Sequence, residues 1–311
     1  MTQSKFSLAD VIALLTALAF SFVCFLGTNF YTLGNTEQSI LLSTIIFLLL
    51  SGTALGAKLL KRTSSNFKTC FIWEMILLVL FSILTAYFTY SPFSHYFVVS
   101  DQKQVIQSKL TASIQQAADM YPEYELYAQK RETIYIGKLR SVVMAKHVSP
   151  GVYSDYDFKS SGGSDNKQID SKMFTLHADL FPSNYGKKKT ADSTWLADSR
   201  RIVNEWKAIG IADVIKNVEQ NSKDWKTELV RLSRIREKGE NANDFDYILS
   251  FNDVKTHFTT PDKPTPLSIG LAIIAYFLML LPWIVTKRKG GKSGDILGLF
   301  GLGKSAADNE L

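Results

Sequence analysis

The first long apolar stretch of the chain, residues 11–30, reads VIALLTALAFSFVCFLGTNF. A helix rises about 1.5 Å per residue, so about 20 apolar residues cover the roughly 30 Å of hydrocarbon in a bilayer. Three further stretches meet this requirement: Ile40–Ala57, Cys70–Tyr90 and Leu267–Val285. Backbone groups in lipid must form their hydrogen bonds within the segment, which favours helices. The sequence therefore predicts a multi-pass α-helical membrane protein with four transmembrane helices.

A polar insert between the third and fourth stretches divides the chain into four predicted regions. These are a three-helix membrane region (1–92), the insert (93–265), the fourth transmembrane helix (266–286) and a basic, glycine-rich tail (287–311). The insert carries 25 lysines and arginines against 23 aspartates and glutamates, so most of the net charge of +6 lies outside it. No basic stripe interleaved with aromatic residues is present in the insert, and we expect no nucleic-acid partner.

The basic residues outside the insert predict the orientation in the membrane. They are confined to the N-terminal end, the loop between the second and third stretches, and the tail: Lys5, Lys58, Lys61, Arg62, Lys68, Lys287, Arg288, Lys289, Lys292 and Lys304. Basic residues near the ends of spans stay on the cytoplasmic side. We therefore expect both termini in the cytoplasm and the insert in the periplasm. The first stretch exceeds the about 7–15 apolar residues of a signal peptide, so we expect it to be retained.

The insert shows mostly helical spacing with a minor extended component. Helical patterns cover Gln102–Met120, Tyr124–Lys146, Trp195–Ile209, Ala212–Glu219 and a segment from Asn221 to Gly239, with a break expected at Tyr121-Pro122. Alternation of apolar and polar residues predicts two strands, Phe174–Leu180 and Phe245–Phe251. His147–Lys172 is rich in Ser, Gly, Asp and Asn and predicts a long exposed loop, and Lys187–Lys189 predicts a charged loop. The predicted fold is thus an α-rich α+β extracytoplasmic domain on a four-helix membrane anchor.

Few ionisable residues fall inside the apolar stretches. Asp10 lies at the start of the first, where a carboxylate can cap the helix. Glu74 lies about one turn inside the third, either as an interfacial carboxylate that reaches toward headgroups or as a partner for another subunit or an ion path. Because the midplane of every span lacks charge, the spans resemble anchors more than a transport pathway. Gly52 and Gly56 are spaced for close helix packing, within the chain or between copies.

Motifs that carry chemistry are scarce. Residues 298–305, GLFGLGKS, match the phosphate-binding pattern G-x-x-x-x-G-K-[ST], but no strand or useful helix can flank them, so we interpret them as an apolar docking segment of the tail. The four histidines stand singly, without metal-ligand spacing: His95, His147, His177 and His257. The sequence predicts no catalytic, cofactor-binding or metal-binding residues, and hence a protein that is not an enzyme.

The whole layout resembles the TssN-type inner-membrane proteins of Bacteroidetes type VI secretion systems. The shared features are three clustered N-terminal spans, an α-rich domain at Gln102–Phe251, a fourth span and the tail Lys287–Leu311. The resemblance implies a non-catalytic part of a trans-envelope complex that contacts other subunits through the outer domain. The alternative from another class is a membrane-bound sensor or transport-associated protein whose periplasmic domain binds a small ligand.

Overall fold

A computed structural model describes residues 7–63, 67–260 and 263–288 of the protein. These residues form helices joined by short connections, and no strand occurs among them. The helices are α1 (Leu8–Tyr31), α2 (Thr36–Arg62), α3 (Phe67–Phe88), α4 (Ser94–Asp101), α5 (Lys103–Met144), α6 (Pro150–Asp155), α7 (Asp165–Leu180), α8 (Tyr185–Glu205), α9 (Ile211–Ser233), α10 (Asn252–Thr259) and α11 (Pro266–Val285). The chain divides into two compact units: a membrane unit, built from residues up to Lys103 and from His257 onward, and an insert unit, Gln104–Thr256.

The membrane unit confirms four helices that are long and apolar enough to cross a bilayer. They are α1, α2, α11 and the continuous helical path Lys68–Asp101 that begins in α3. Their outward faces carry large apolar side chains such as Leu48 and Ile83, as a lipid-facing surface requires. Their inward faces form a shared core that contains Phe20, Ile46 and Phe81.

Local sequence signals fix where these helices begin. The Ser7 and Asp10 side chains form a reciprocal capping box at the start of α1. The Asn35 side chain accepts a hydrogen bond from Gln38 N (3.2 Å) at the start of α2. Thr265 does the same for Ser268 N (3.2 Å) at the start of α11, with Pro266 in the first turn. Each cap satisfies backbone donors that the helix itself leaves unpaired.

The third apolar helix does not end at Tyr90 as the composition suggests. A π-helical turn, Thr89–Phe93, carries the chain around Pro92 and into α4. Because α4 buries His95, Val98 and Val99, this segment packs within the membrane unit. Apolar side chains after the proline thus extend the helical path beyond the length that a bilayer span requires.

Gly27 permits a close approach between α1 and the π-helical turn. A Cβ at Gly27 would lie 1.9 Å from the Pro92 carbonyl oxygen, a backbone atom. We expect Gly27→Ala to destabilise the full chain by about 1–3 kcal/mol through overpacking. Gly52→Ala is the matched control, because no atom lies within 4 Å of its added Cβ. Thermal unfolding of both variants in mild detergent measures the difference, and equal stability of the two would contradict the close approach.

The insert unit is built on the 42-residue helix α5, which runs through the expected break at Pro122. Proline inside a helix costs about 3 kcal/mol because it removes one hydrogen bond and crowds the preceding turn. The buried stripe continues on both sides of Pro122, with Ala117, Tyr121 and Tyr124 in the core. Packing of one unbroken stripe outweighs the local cost, and the prediction of two separate helices was wrong.

The first predicted strand, Phe174–Leu180, was also wrong because it lies in α7. The Ser164 side chain caps this helix, and the buried residues Ile169, Leu176 and Leu180 follow helical spacing. Phe174 is exposed, so the apolar alternation that suggested a strand does not describe one buried face. The 16 residues of α7 also include the last part of the predicted loop His147–Lys172.

The second predicted strand, Phe245–Phe251, has alternating burial but belongs to no sheet. Phe245 and Phe251 are buried, whereas Asp246, Ile248 and Ser250 are exposed. No second strand lies beside it in the described part of the chain. Instead, Tyr247 Oη donates to the Gln116 carbonyl oxygen of α5, and Tyr127 Oη of α5 donates to the Asn243 carbonyl oxygen just before the segment. The α+β assignment of the extracytoplasmic domain is therefore incorrect: its described residues contain helices and irregular segments.

Three other boundaries in the insert differ from the sequence prediction. The expected loop His147–Lys172 contains α6 and the first turns of α7. The expected loop at Lys187–Lys189 lies in α8. The helices expected at Ala212–Glu219 and after Asn221 are one helix, α9, because its buried stripe runs without interruption from Ile211 to Leu232.

Candidate functional site

One end of the membrane unit, here named the charged end, gathers Asp10, Lys58, Lys61 and Glu74, whereas Glu37 lies in the first turn of α2 at the other end. The Lys58 ammonium on α2 contacts both carboxylate oxygens of Asp10 on α1, at 2.5 and 2.6 Å. Asp10 is 1% exposed and Lys58 is 7% exposed. The Asp10 carboxylate also accepts hydrogen bonds from Ser7 N and Oγ. The predicted capping residue therefore serves a second role as the anion of a buried ion pair.

Glu74 forms a second buried cluster at the charged end. Its Oε1 atom accepts hydrogen bonds from Trp283 Nε1 (2.8 Å), near the end of α11, and from Arg288 Nη2 (2.7 Å), three residues after that helix. Lys61 donates to the Trp283 carbonyl oxygen (2.8 Å) and lies over the Trp283 ring. Glu74 is fully buried, and its Oε2 atom has no hydrogen-bond partner in the described residues. The carboxylate thus ties α3 to α11 within one chain.

The two clusters define the direction of each apolar helix. The starts of α1 and α3 and the ends of α2 and α11 meet at the charged end. The start of the first apolar helix, α1, and the end of the last, α11, therefore lie on the same side of the membrane unit. No Asp, Glu, Lys or Arg occurs in the sequence between the helix ends, in residues 11–36, 38–57, 75–100 and 267–286. A chain of charged side chains across the bilayer, as in many proton and ion pathways, is absent from these segments.

The two glycines expected to form a helix-packing face have different surroundings. A Cβ at Gly56 would lie 3.1 Å from Leu77 Cδ1 on α3, so this glycine serves a contact inside the chain. Gly52 is exposed and has nothing within 4 Å of its Cβ position. Self-association through Gly52 and Gly56 stays a prediction.

In the insert unit, Arg131 joins α5 to the irregular segment 234–251, named the strap. The guanidinium pairs with the Glu240 carboxylate and donates to the carbonyl oxygens of Ser233 (2.9 Å) and Ile235. The side chains of Arg131 and Glu240 are both buried. A buried charge pair is tolerated when further hydrogen bonds satisfy its remaining groups, and the two carbonyls supply them here.

Tyrosines of α5 extend this attachment along the strap. Tyr127 Oη donates to the Asn243 carbonyl oxygen (2.7 Å), and Tyr135 Oη donates to that of Lys238 (3.3 Å). Phe245 packs edge-on against Tyr124, with ring centroids 5.3 Å apart. The polar tips of aromatic residues thus satisfy strap carbonyls that a neighbouring strand would otherwise satisfy.

A second carboxylate lies in a partly buried aromatic region of the same unit. Asp192 accepts a hydrogen bond from the Tyr121 hydroxyl, and Tyr121 packs near Trp225. Burial raises the pKa of Asp192, although the Tyr121 hydrogen bond and Lys188 act in the opposite direction. Trp225 is buried and packs edge-on against the half-buried Trp195, with ring centroids 5.9 Å apart.

One face of α5, named the outer face, is not covered by any described helix. It carries the exposed residues Leu126, Lys130, Ile134, Lys138 and Met144. Ile134 is 62% exposed and Met144 is 84% exposed. Lys130 and Lys138 form no ion pair with the described residues. An indentation of about 170 Å³ opens beside Ile134, between α5 and the strap.

Neither the histidines nor the acidic residues of the segment predicted as a loop, His147–Lys172, form a metal site in the described residues. His177 Nδ1 lies 2.8 Å from Glu132, and His257 Nδ1 lies 2.8 Å from Gln102. No group of three or more His, Cys, Asp or Glu side chains there could hold a metal ion. The GLFGLGKS match at residues 298–305 and the apolar tail segment lie outside the described residues.

Asp165, the first residue of α7, contacts the turn after α5 and the helix α6, and these contacts predict a pH dependence. Its carboxylate contacts Lys146 Nζ (2.6 Å) and accepts from Tyr153 Oη (2.7 Å), which hold its pKa below the usual 3.8. A lowered pKa stabilises the fold above pH 3.8, and this stabilisation is lost as the pH falls through the folded-state pKa. We expect Asp165→Asn to lose stability at neutral pH and to show a smaller further loss below pH 3.8 than the parent. Asp170→Asn, an exposed change in the same helix, is the control, and the measurement is unfolding followed against pH.

Comparison with known proteins gives no relative for this chain. No family model, no curated protein and no solved structure matches it. The arrangement of the clusters and surfaces described above therefore carries the functional argument.

Proposed function

We propose that this chain is a non-enzymatic structural component of a bacterial envelope complex, with the trans-envelope complex of a type VI secretion system as the best fit. Four apolar helices anchor it in the inner membrane, with both termini in the cytoplasm and the insert unit in the periplasm. Its partners are the lipid bilayer and other subunits of the complex. It requires no cofactor and no metal.

The structure of the membrane unit supports an anchoring role. Asp10 pairs with Lys58, and Glu74 pairs with Arg288, so these buried charges join helices of one chain. Buried ionisable groups in membrane helices that serve transport line a pathway or a cavity near mid-depth. Here the charges lie near helix ends and contact one another, which favours a fixed helix bundle.

The α5 outer face carries the proposal. It presents Leu126, Ile134 and Met144 to solvent on a helix whose other side is buried in its own unit, and Lys130 and Lys138 lie among them. Exposed apolar groups that cluster on one surface mark protein interaction sites. The indentation beside Ile134 provides a place for an anchoring side chain from a partner. We infer that subunits of the complex bind the insert unit at this face.

Co-purification tests the proposal. The full chain is tagged in its own host, extracted from membranes in mild detergent, and its stoichiometric partners are identified by mass spectrometry. Ile134→Glu should remove at least one partner, because it places a charge in the centre of the outer face. Phe174→Glu is the matched control on α7, where the parent residue is 75% exposed. A chain that elutes alone, or equal recovery of partners with both variants, would count against the proposal.

The orientation is tested separately. A cysteine introduced at Ser141, an exposed position on α5, should react with a membrane-impermeant maleimide in cells whose outer membrane alone is permeable. The two native cysteines, Cys24 and Cys70, are replaced by alanine beforehand. Labelling only after the inner membrane is opened would place the insert unit in the cytoplasm.

A further inference from the structure

A cavity of about 200 Å³ opens at the end of the membrane unit opposite the charged end. It lies among the end of α1, the first turns of α2, the end of α3 and the π-helical turn with α4. Its walls include Thr28, Tyr31, Leu42, Tyr87, Phe88 and His95. The close approach of Gly27 to the Pro92 carbonyl holds the π-helical turn against α1 and forms one side of the cavity. π-Helical turns inside helices frequently accompany functional sites.

The cavity has a buried floor and an exposed mouth. Thr28, Phe88 and His95 are buried at the floor. Tyr31 and Tyr87, which are 54% and 66% exposed, stand at the mouth. Leu42 is also partly exposed on the outward side of α2, which faces lipid in a membrane. A ligand therefore reaches the floor from the bilayer, past two tyrosine side chains.

The lining combines aromatic rings with neutral polar groups. Among the described residues, no Asp, Glu, Lys or Arg lines the cavity, so a charged ligand would lose its hydration without a counter-charge from them. His95 Nε2 lies 2.7 Å from the Phe258 carbonyl oxygen, and a carbonyl only accepts, so Nε2 carries the proton. Tyr31 packs edge-on to the His95 ring (5.9 Å), which fixes the orientation of that ring. Hydroxyl groups of Thr28, Tyr31 and Ser91 supply further hydrogen-bonding capacity.

The volume limits the ligand to one ring. An apolar protein cavity of about 150 Å³ holds benzene, so a cavity of this size accepts one ring with small substituents. A flat ring packs well against the faces and edges of Phe88 and Tyr87. Oxygen atoms on that ring would accept hydrogen bonds from the hydroxyl groups, and an apolar tail would leave through the mouth into lipid.

We propose that this cavity binds a neutral, membrane-soluble molecule with a single oxygenated ring, the chemistry of quinone and quinol headgroups. The site is independent of the α5 outer face, since all its lining residues belong to the membrane unit. It gives the membrane anchor a ligand whose binding joins α1, α2 and α3 at one end.

Binding of duroquinone to the purified full chain in lipid discs tests the proposal. We expect saturable binding of one molecule per chain, a rise in thermal stability with ligand concentration, and tighter binding of decylubiquinone, which adds a tail. Decanol, which has the tail without the ring, should give no saturable binding. Equal saturable binding of decanol would overturn recognition of the ring, and partitioning without saturation would overturn the site itself.

Two adjacent leucines on α2 provide a matched pair of variants. Leu42→Trp fills the cavity and should weaken duroquinone binding at least tenfold, whereas Leu41→Trp, at a 64% exposed position that does not line the cavity, should leave it within twofold. Ser91→Phe fills the mouth from the exposed π-helical turn and should act like Leu42→Trp, which provides a second variant if the first does not fold. Unchanged binding in a folded cavity-filling variant would refute the assignment.

Discussion

Replacement of Asp10 by asparagine is expected to destabilise the full chain by about 3–5 kcal/mol. Asparagine keeps an oxygen that caps α1, so the change isolates the loss of the negative charge. Lys58, which is 7% exposed, would then lose the carboxylate that compensates it, and an uncompensated buried charge is costly. Equilibrium unfolding of the detergent-solubilised chain, followed by circular dichroism, measures the effect.

The double variant Asp10→Asn/Lys58→Met separates charge burial from packing. Methionine keeps most of the apolar length of lysine and removes its charge, so we expect stability within about 1–2 kcal/mol of the parent. Lys61→Met serves as a comparison variant. It also removes a cation near the end of α2, but that cation donates to the Trp283 carbonyl oxygen and not to a carboxylate. If the double variant is as unstable as Asp10→Asn alone, the unpaired lysine does not explain the effect.

Replacement of Arg131 by methionine is expected to release the strap and to cost about 3–5 kcal/mol in the insert unit. The substitution leaves the buried Glu240 carboxylate without its cation and removes donors to the Ser233 and Ile235 carbonyls. Hydrogen exchange should accelerate at strap amides such as Phe245 N, which donates to Ser233 Oγ (2.9 Å). The measurement is hydrogen exchange with mass spectrometry on the full chain.

Two further substitutions sharpen this result. Arg131→Lys keeps the charge but not the planar fork, so it should restore strap protection only in part. Arg140→Met changes the same residue type at an exposed position of α5 and should stay within about 0.5 kcal/mol of the parent. Protection of the strap that survives in Arg131→Met would show that the tyrosine contacts alone hold it.

No sequence pattern predicted the cavity near Thr28, Leu42 and His95, which lies at the end of the membrane unit opposite the charged end. Its lining residues come from three separate parts of the sequence: residues 27–31, Leu42 and residues 87–95. Glu74 was visible as an unusual carboxylate, but its partners Trp283 and Arg288 lie more than 200 residues away. Contacts across such separations depend on how the helices pack, which the local pattern does not encode.

The insert shows why short-range patterns mislead in a helical domain. Alternation in Phe174–Leu180 suggested a strand, yet burial of Ile169, Leu176 and Leu180 on one helical face decides the structure. Alternation in Phe245–Phe251 does correspond to alternating exposure, but an extended segment forms a sheet only beside another strand. Here Phe245 packs against Tyr124 of α5 and its amide donates to Ser233 Oγ of α9, so the alternating exposure was predicted correctly and the inferred sheet was not.

The sequence by itself determined the four apolar helices, because each must satisfy its backbone and its lipid-facing surface within one continuous segment. The predicted stretches began at Val11, Ile40 and Leu267, two to five residues after the N-cap residues Ser7, Asn35 and Thr265 of the structure. Only the tertiary structure decided the partners of Asp10 and Glu74, the continuity of α5 through Pro122, and the strap that replaces a sheet. These features depend on burial shared between distant segments, and burial is a property of the packed chain.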